Sequence, residues 1–164
     1  MKPVLLSFAL FLSTAGLAEA QMKVQLGAPW DGRKVPAGQQ CPLFGGKGST
    51  PPMKVTGVPD GTAWIYVEYN DRDYSALSSK GGHGIIGYPV SGSSADLYAV
   101  PGLKARLPGK ARVIAKARST GEYASPGYLP PCSGGRGNRY FADVKAISAA
   151  GKVLGKVRVE IGRY

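Results

Sequence analysis

His83 is the only histidine in this chain of 164 residues, and two aspartates, Asp71 and Asp73, stand a short way upstream of it. Two carboxylates near one imidazole can hold a polar ligand. One carboxylate fixes the ring tautomer and orientation, and the free ring nitrogen meets the ligand. The alternatives are plain: D-x-D also occurs in surface turns, and a lone histidine also serves as a structural residue. Covalent chemistry has less support. There is no Gly-x-Ser-x-Gly elbow, and one histidine with two distant cysteines does not complete a zinc shell. Gly45-Gly-Lys-Gly-Ser-Thr50 has the composition of a phosphate loop without its order, because Gly48 follows Lys47 and no helical pattern comes after it. No catalytic residue, metal or cofactor is expected.

Charge offers a second kind of chemistry. The formal net charge is +11, which favours anionic partners and says nothing about fold. Part of it lies in a repeat. Lys104-Ala-Arg106, Lys110-Ala-Arg112 and Lys116-Ala-Arg118 recur every six residues, with no acidic residue between Asp96 and Glu122. Pro108-Gly109 reads as a turn, so the segment is either a hairpin or an extended loop. In extended arms the basic side chains of each arm share a side, because strand side chains alternate. An anion-binding surface and a merely solvated face both fit this pattern.

The chain start bears on where these groups work. Met1-Lys2-Pro3 leads into an apolar run from Val4 to Leu12, and small residues stand at Ala18 and Ala20. A basic start, a short apolar stretch and an A-x-A-like end describe a cleavable secretory signal over 1–20. A membrane anchor would need about 20 apolar residues. The expected mature protein is therefore residues 21–164, one domain that is exported, either periplasmic or secreted. Lys2 and Glu19 leave together, so the charge is unchanged. Outside the cytoplasm anionic lipid, lipopolysaccharide or an acidic protein is easier to reach than nucleic acid, which is not expected as a partner. Cys41 and Cys132 would meet an oxidising compartment. Two cysteines allow one intramolecular pairing and predict a disulfide, with two buried thiols as the alternative.

The elements that must position these residues read as strands. Glycine and proline are frequent, at 24 and 13, and no stretch shows a convincing amphipathic helix period. Thr62-Ala-Trp-Ile-Tyr-Val-Glu-Tyr69, Gly84 to Tyr88, Arg139 to Ser148 and Val153 to Ile161 are β-type runs bounded by turn residues. In the last, Val157, Val159 and Ile161 alternate with Lys156, Arg158 and Glu160. Short strands with glycine-rich turns predict a mainly β protein, a two-sheet antiparallel β-sandwich with little helix. The aspartates close the first of these strands and His83 precedes the second.

The order of the segments resembles the phosphatidylethanolamine-binding protein family, and in look its bacterial, Raf-kinase-inhibitor-like branch. Cys41 to Gly48 followed by Ser49-Thr-Pro-Pro-Met53 resembles the family's cysteine-glycine stretch and S-P-P-L segment. Gly57-Val-Pro-Asp-Gly-Thr62, the strand, and Asp71-Arg-Asp73 look like G-V-P-x-G-T, strand, and D-P-D. His83-Gly-Ile-Ile86 sits where the family has H-W-V-V. Tyr128-Leu-Pro-Pro-Cys132 and Gly137-Asn-Arg-Tyr140 resemble G-P-C-P-P and G-x-H-R-Y, and Gly162-Arg-Tyr164 resembles the closing G-x-Y. The pieces follow the family's order across nearly the whole mature chain. Three departures stand out: Arg72 replaces a proline, Gly84 a tryptophan, and Asn138 the second site histidine.

The resemblance implies a non-enzymatic exported binding protein with a small anion or polar-ligand pocket. Asp71, Asp73, His83, Asn138 and Tyr140 would line it, with Pro131 and Gly137 at the rim. Asp71 would face and orient His83. It further implies that Cys41 and Cys132 approach each other near the pocket. Asn138 can donate a hydrogen bond but cannot carry positive charge, so doubly charged phosphate should bind less well than in relatives. Gly84 should open the neighbourhood of the histidine. A second reading is an interaction or inhibitor protein working through Lys104 to Arg118, with the pocket vestigial. A third, an extracytoplasmic hydrolase using His83, lacks a nucleophile placed beside the histidine.

Overall fold

Strand alternation decides which side chains meet, and it produces two faces of very different character. The computed structural model describes residues 21–164, and the signal sequence expected over 1–20 lies outside the described residues. Eight strands run in chain order: β1 Lys23–Leu26, β2 Met53–Thr56, β3 Thr62–Asp71, β4 Ile85–Pro89, β5 Ser94–Leu97, β6 Arg112–Ala115, β7 Arg139–Ser148 and β8 Val153–Arg163. They form a three-stranded sheet of order β1-β2-β5 and a five-stranded sheet of order β6-β4-β3-β7-β8. Every strand pairing is antiparallel. The expected two-sheet antiparallel sandwich is what forms. The helical content of the described residues is three short 3-10 turns, at Pro42–Phe44, Ser75–Leu77 and Gly121–Tyr123.

The core lies between the sheets. Met53, Val55 and Leu97 of the small sheet meet Ile65, Val67, Tyr69, Ile86, Tyr88, Tyr140, Ala142, Val144, Ala146 and Ile161 of the large one. The alternate residues of the large sheet face away. There Glu68 pairs with Lys145 at 2.6 Å, and Asp143 accepts from Arg158 at 2.8 and 3.0 Å, with Lys156 at 3.3 Å. Arg158 and Arg72 both lie over the Phe141 ring, with centroid distances of 4.2 and 5.0 Å. Cation–π contacts of this kind cover an aromatic ring that would otherwise face water.

The four strands read from the sequence are β3, β4, β7 and β8. The four-residue strands β1, β2, β5 and β6 add the whole second sheet and one edge of the first. The basic segment is no hairpin: Lys104 to Lys110 follow turns and bends, and only Arg112–Ala115 pairs as strand β6. The reason is that β4 offers one open edge, and the chain reaches it only at Arg112.

Cys41 and Cys132 are joined as a disulfide with their Cα atoms 5.2 Å apart. The Cys41 N–H donates to the Pro131 carbonyl at 2.9 Å, so covalent and backbone links coincide. A small apolar cluster of Leu77, Ala117 and Leu129 packs around the bond. The closed loop spans 91 residues, worth about 4–5 kcal/mol in the chain-entropy model. A Cys41→Ser, Cys132→Ser double variant should lose about that much unfolding free energy in urea. Peptide mapping that recovers both thiols free from the wild type would contradict the bond.

Candidate functional site

The pleat of the large sheet carries a row of side chains past the end of the core. Ile65, Val67 and Tyr69 point inward, and the same period of two puts Asp71 next on that face. On β7 the inward set is Tyr140, Ala142, Val144, and Asn138 precedes it in phase. Asp71 is the register partner of Tyr140. The sheet therefore ends in a carboxylate, a phenol and an amide on one face, and the Asn138 amide donates to Asp71 Oδ2 at 2.7 Å.

His83 enters from the turn before β4. Its N–H donates to the Tyr69 carbonyl at 2.9 Å, and its carbonyl accepts from Leu129 N–H at 2.8 Å. The ring returns the contact, with Nδ1 and the Leu129 carbonyl oxygen 2.8 Å apart. A carbonyl only accepts, so Nδ1 carries the proton. The imidazole meets Tyr140 edge-on with centroids 5.3 Å apart. It is 3 % exposed, and Nε2 has no hydrogen-bond partner among the described residues. Burial holds the His83 pKa below the ordinary imidazole value, against the pull of the Leu129 carbonyl and of nearby Asp71.

These four residues line one cavity of about 380 Å³. Its walls are loops: Tyr74, Ala76 and Leu77 on one side, Arg118 to Thr120 and Tyr123 on another, and Leu129 with Cys132, Ser133 and Arg136 on a third. Tyr140 Oη accepts from the Cys132 N–H at 3.2 Å, and its hydroxyl stands beside the Asp71 carboxylate. Burial raises the Tyr140 pKa and keeps the phenol protonated. Among the described residues no three His, Cys, Asp or Glu side chains gather into a metal-binding group.

The structure thus brings Asp71, His83, Asn138 and Tyr140 together, and it departs from the sequence expectation in several places. Asp73 is not in the cavity. The strand ends at Asp71, and the Asp73 carboxylate turns outward to Arg139, accepting from its backbone N–H at 2.7 Å and from its guanidinium. That arginine lowers the Asp73 pKa to about 2. Asp71 does not orient the imidazole; its oxygens accept from the Asp73 N–H at 2.9 Å and from Asn138, and the Leu129 carbonyl does the orienting. Pro131 is buried and does not line the cavity, and its carbonyl accepts from the Cys41 N–H. The Gly137 N–H is committed to the Tyr164 carbonyl at 2.8 Å.

Gly84 does not open the site either. Its φ of 108° is a glycine conformation, and an added Cβ would lie 2.8 Å from the Gly127 carbonyl oxygen. The backbone of 127–128 has taken the space of a side chain. Arg72 points to the outer face and pairs with Glu160.

Two arginines stand among the cavity residues that the sequence does not reveal. Arg118, counted in the sequence with the basic repeat, turns instead to the 76–80 loop. It donates to the carbonyls of Lys80 and Ala76 at 3.0 Å and of Ser79 at 2.8 Å. Arg136, two residues before Asn138, belongs to no motif of the sequence and lines the cavity as well. Of the other basic residues Arg112 lies over the Trp64 ring at 5.3 Å, while Lys104, Arg106, Lys110 and Lys116 are exposed. None of the six forms an ion pair among the described residues.

No protein-family model and no curated protein matches this chain. Solved structures do. A phosphatidylethanolamine-binding protein homologue from Chlamydia trachomatis, CT736, is 20% identical with a TM-score of 0.54, covering 88% of this chain and 97% of its own. YbcL of Escherichia coli, described as a member of the mammalian family of the same name, gives 20% identity and a TM-score of 0.54 over 88% of this chain and 98% of its own. The fold is that of the phosphatidylethanolamine-binding proteins. Within this phosphatidylethanolamine-binding fold, the end of the large sheet is where the polar side chains converge.

The buried histidine makes stability depend on pH. His83 titrates below the ordinary value of 6.5 when folded, with Asp71, Tyr74, Tyr123, Tyr140, Arg118 and Arg136 as the ionisable groups around its cavity. As pH falls below that value the unfolded chain takes up a proton that the folded one refuses. Stability should then fall by up to about 1.4 kcal/mol per pH unit, until His83 itself protonates. Urea melts on both sides of this range check it, and His83→Gln should remove most of the slope.

Proposed function

We propose that this chain is an exported binding protein that holds a small polar ligand in the cavity between Asp71, His83, Asn138 and Tyr140. One observation carries the reading. A buried imidazole nitrogen without a partner is costly, and here it belongs to a residue that lines an open cavity of ligand size. A ligand that hydrogen-bonds Nε2 removes that cost.

Three further points support it. The phosphatidylethanolamine-binding fold is shared with proteins named for holding a ligand. The chain start has the form of a secretory signal, and the disulfide suits an oxidising compartment. Binding without turnover fits the hydrogen bonds: Nδ1 is committed to Leu129, no hydroxyl among the described residues bonds Nε2, and Ser133 Oγ donates to the Tyr164 carbonyl. These bonds do not pair the Ser133 hydroxyl with the imidazole as nucleophile and base.

A second reading, contact with a polyanionic surface, draws on the exposure of Lys104, Arg106, Lys110, Arg112 and Lys116 and on their lack of ion pairs among the described residues. Such contacts are screened within about 8 Å at physiological salt. Cavity binding should survive added salt far better.

Native mass spectrometry of the protein purified from its own host is the test. The wild type should retain a small molecule, and His83→Ala, folded by circular dichroism, should bind it at least tenfold more weakly, about the worth of one hydrogen bond to a buried group. A wild type that retains nothing and takes up no small molecule on titration would overturn the reading.

A further inference from the structure

Asp71 is 4 % exposed, yet it enters none of the ion pairs among the described residues. Both its oxygens act as acceptors, one for a backbone N–H and one for the Asn138 amide. All contacts therefore suit the ionised carboxylate, and none neutralises it. Beside it on the cavity lies His83, whose Nδ1–H is spent on Leu129 and whose Nε2 is a bare lone pair. The floor of the cavity is thus a carboxylate and an imine-type acceptor. Such a floor repels an anionic oxygen and attracts an N–H or O–H donor, above all an ammonium group.

The mouth has the opposite sign. Arg136 and Arg118 line the same cavity and are exposed. Arg118 gives three hydrogen bonds to loop carbonyls, which fix the guanidinium without cancelling its charge. Arg136 enters no ion pair among the described residues. Acceptors at the floor and guanidinium groups at the mouth describe a cavity polarised along its depth.

Resting on the binding role proposed above, we infer that the ligand is a small zwitterion of the amino-acid class, with its ammonium group on Asp71 and His83 Nε2 and its acid group toward Arg136 and Arg118. This orientation is the reverse of an anion held at the histidine. It also removes any need for a second positive charge at Asn138, whose task is to hold the Asp71 carboxylate.

Calorimetric titration of the untagged mature protein with 4-aminobutyrate, butyrate, propylamine and inorganic phosphate tests the inference. 4-Aminobutyrate should bind at least about tenfold more tightly than either butyrate or propylamine. Arg136→Ala, an exposed position, should weaken 4-aminobutyrate and butyrate while leaving propylamine unchanged. The side-chain nitrogen resonances of His83 should move on adding propylamine, which keeps the floor under observation without any variant. Butyrate or phosphate binding as tightly as 4-aminobutyrate, with the His83 resonances shifting, would overturn the inference and leave the binding role intact. Failure of all four probes, with no shift at His83, would overturn the inference, and the binding role falls with it only if the protein purified from its own host also retains no small molecule.

Discussion

The hydrogen bond from His83 Nδ1–H to the Leu129 carbonyl sets the chemistry of the cavity. It fixes the tautomer, and so decides that the other nitrogen faces its surroundings as an acceptor. Its geometry depends on the backbone exchange between the same two residues, with Leu129 N–H on the His83 carbonyl. That exchange in turn needs Gly84, because any side chain there would strike the 127–128 backbone. The disulfide holds the far end of the same segment, three residues on, where the Cys132 N–H reaches Tyr140. A chain of short-range constraints thus runs from a glycine to the protonation state of one ring nitrogen.

The two faces of the large sheet treat charge differently, and the contrast gives Asp71 its meaning. On the outer face Glu68, Asp143 and Glu160 all have cationic partners, and Asp73 at the strand end has Arg139. The exposed pairs Arg72–Glu160 and Arg139–Asp73 add little stability each, but together with the pairs of buried Glu68 and Asp143 they leave none of these carboxylates alone. On the inner face one carboxylate stands in reach of a cavity with amide and backbone donors only. A buried charge in that state is stable when hydrogen bonds satisfy it and a counter-charge can arrive.

Much of this architecture was legible in the sequence, and what was not has a physical reason. The long strands show because Trp64 to Tyr69 and Val153 to Ile161 alternate over many residues with aromatic and β-branched types. The four-residue strands Lys23–Leu26, Met53–Thr56 and Ser94–Leu97 carry one or two core residues each, too few for a period to stand out from a loop. Asp71 and His83 were identified from residue type, and Asn138 and Tyr140 from the order of segments. Asp73 was misassigned because a D-x-D pair shares a face only while the strand continues, and this strand stops at Asp71. Arg118 looked like a member of a charge repeat, and only the path of the 74–81 loop shows that it belongs to the cavity. Arg136 had no pattern at all; its place follows from the C-terminal Tyr164, whose backbone clamps Gly137 and Asn138.

The state of the His83 ring is the point on which the function and the ligand class both rest. Because the chain has one histidine, a long-range proton–nitrogen correlation spectrum of the untagged protein at neutral pH reports it without ambiguity. The expected result is a neutral ring with the proton on Nδ1 and an unprotonated Nε2. A protonated Nε2, whether as the other tautomer or as imidazolium, would contradict the hydrogen bond to Leu129 or the acceptor floor, and the reading of the cavity would fall with it.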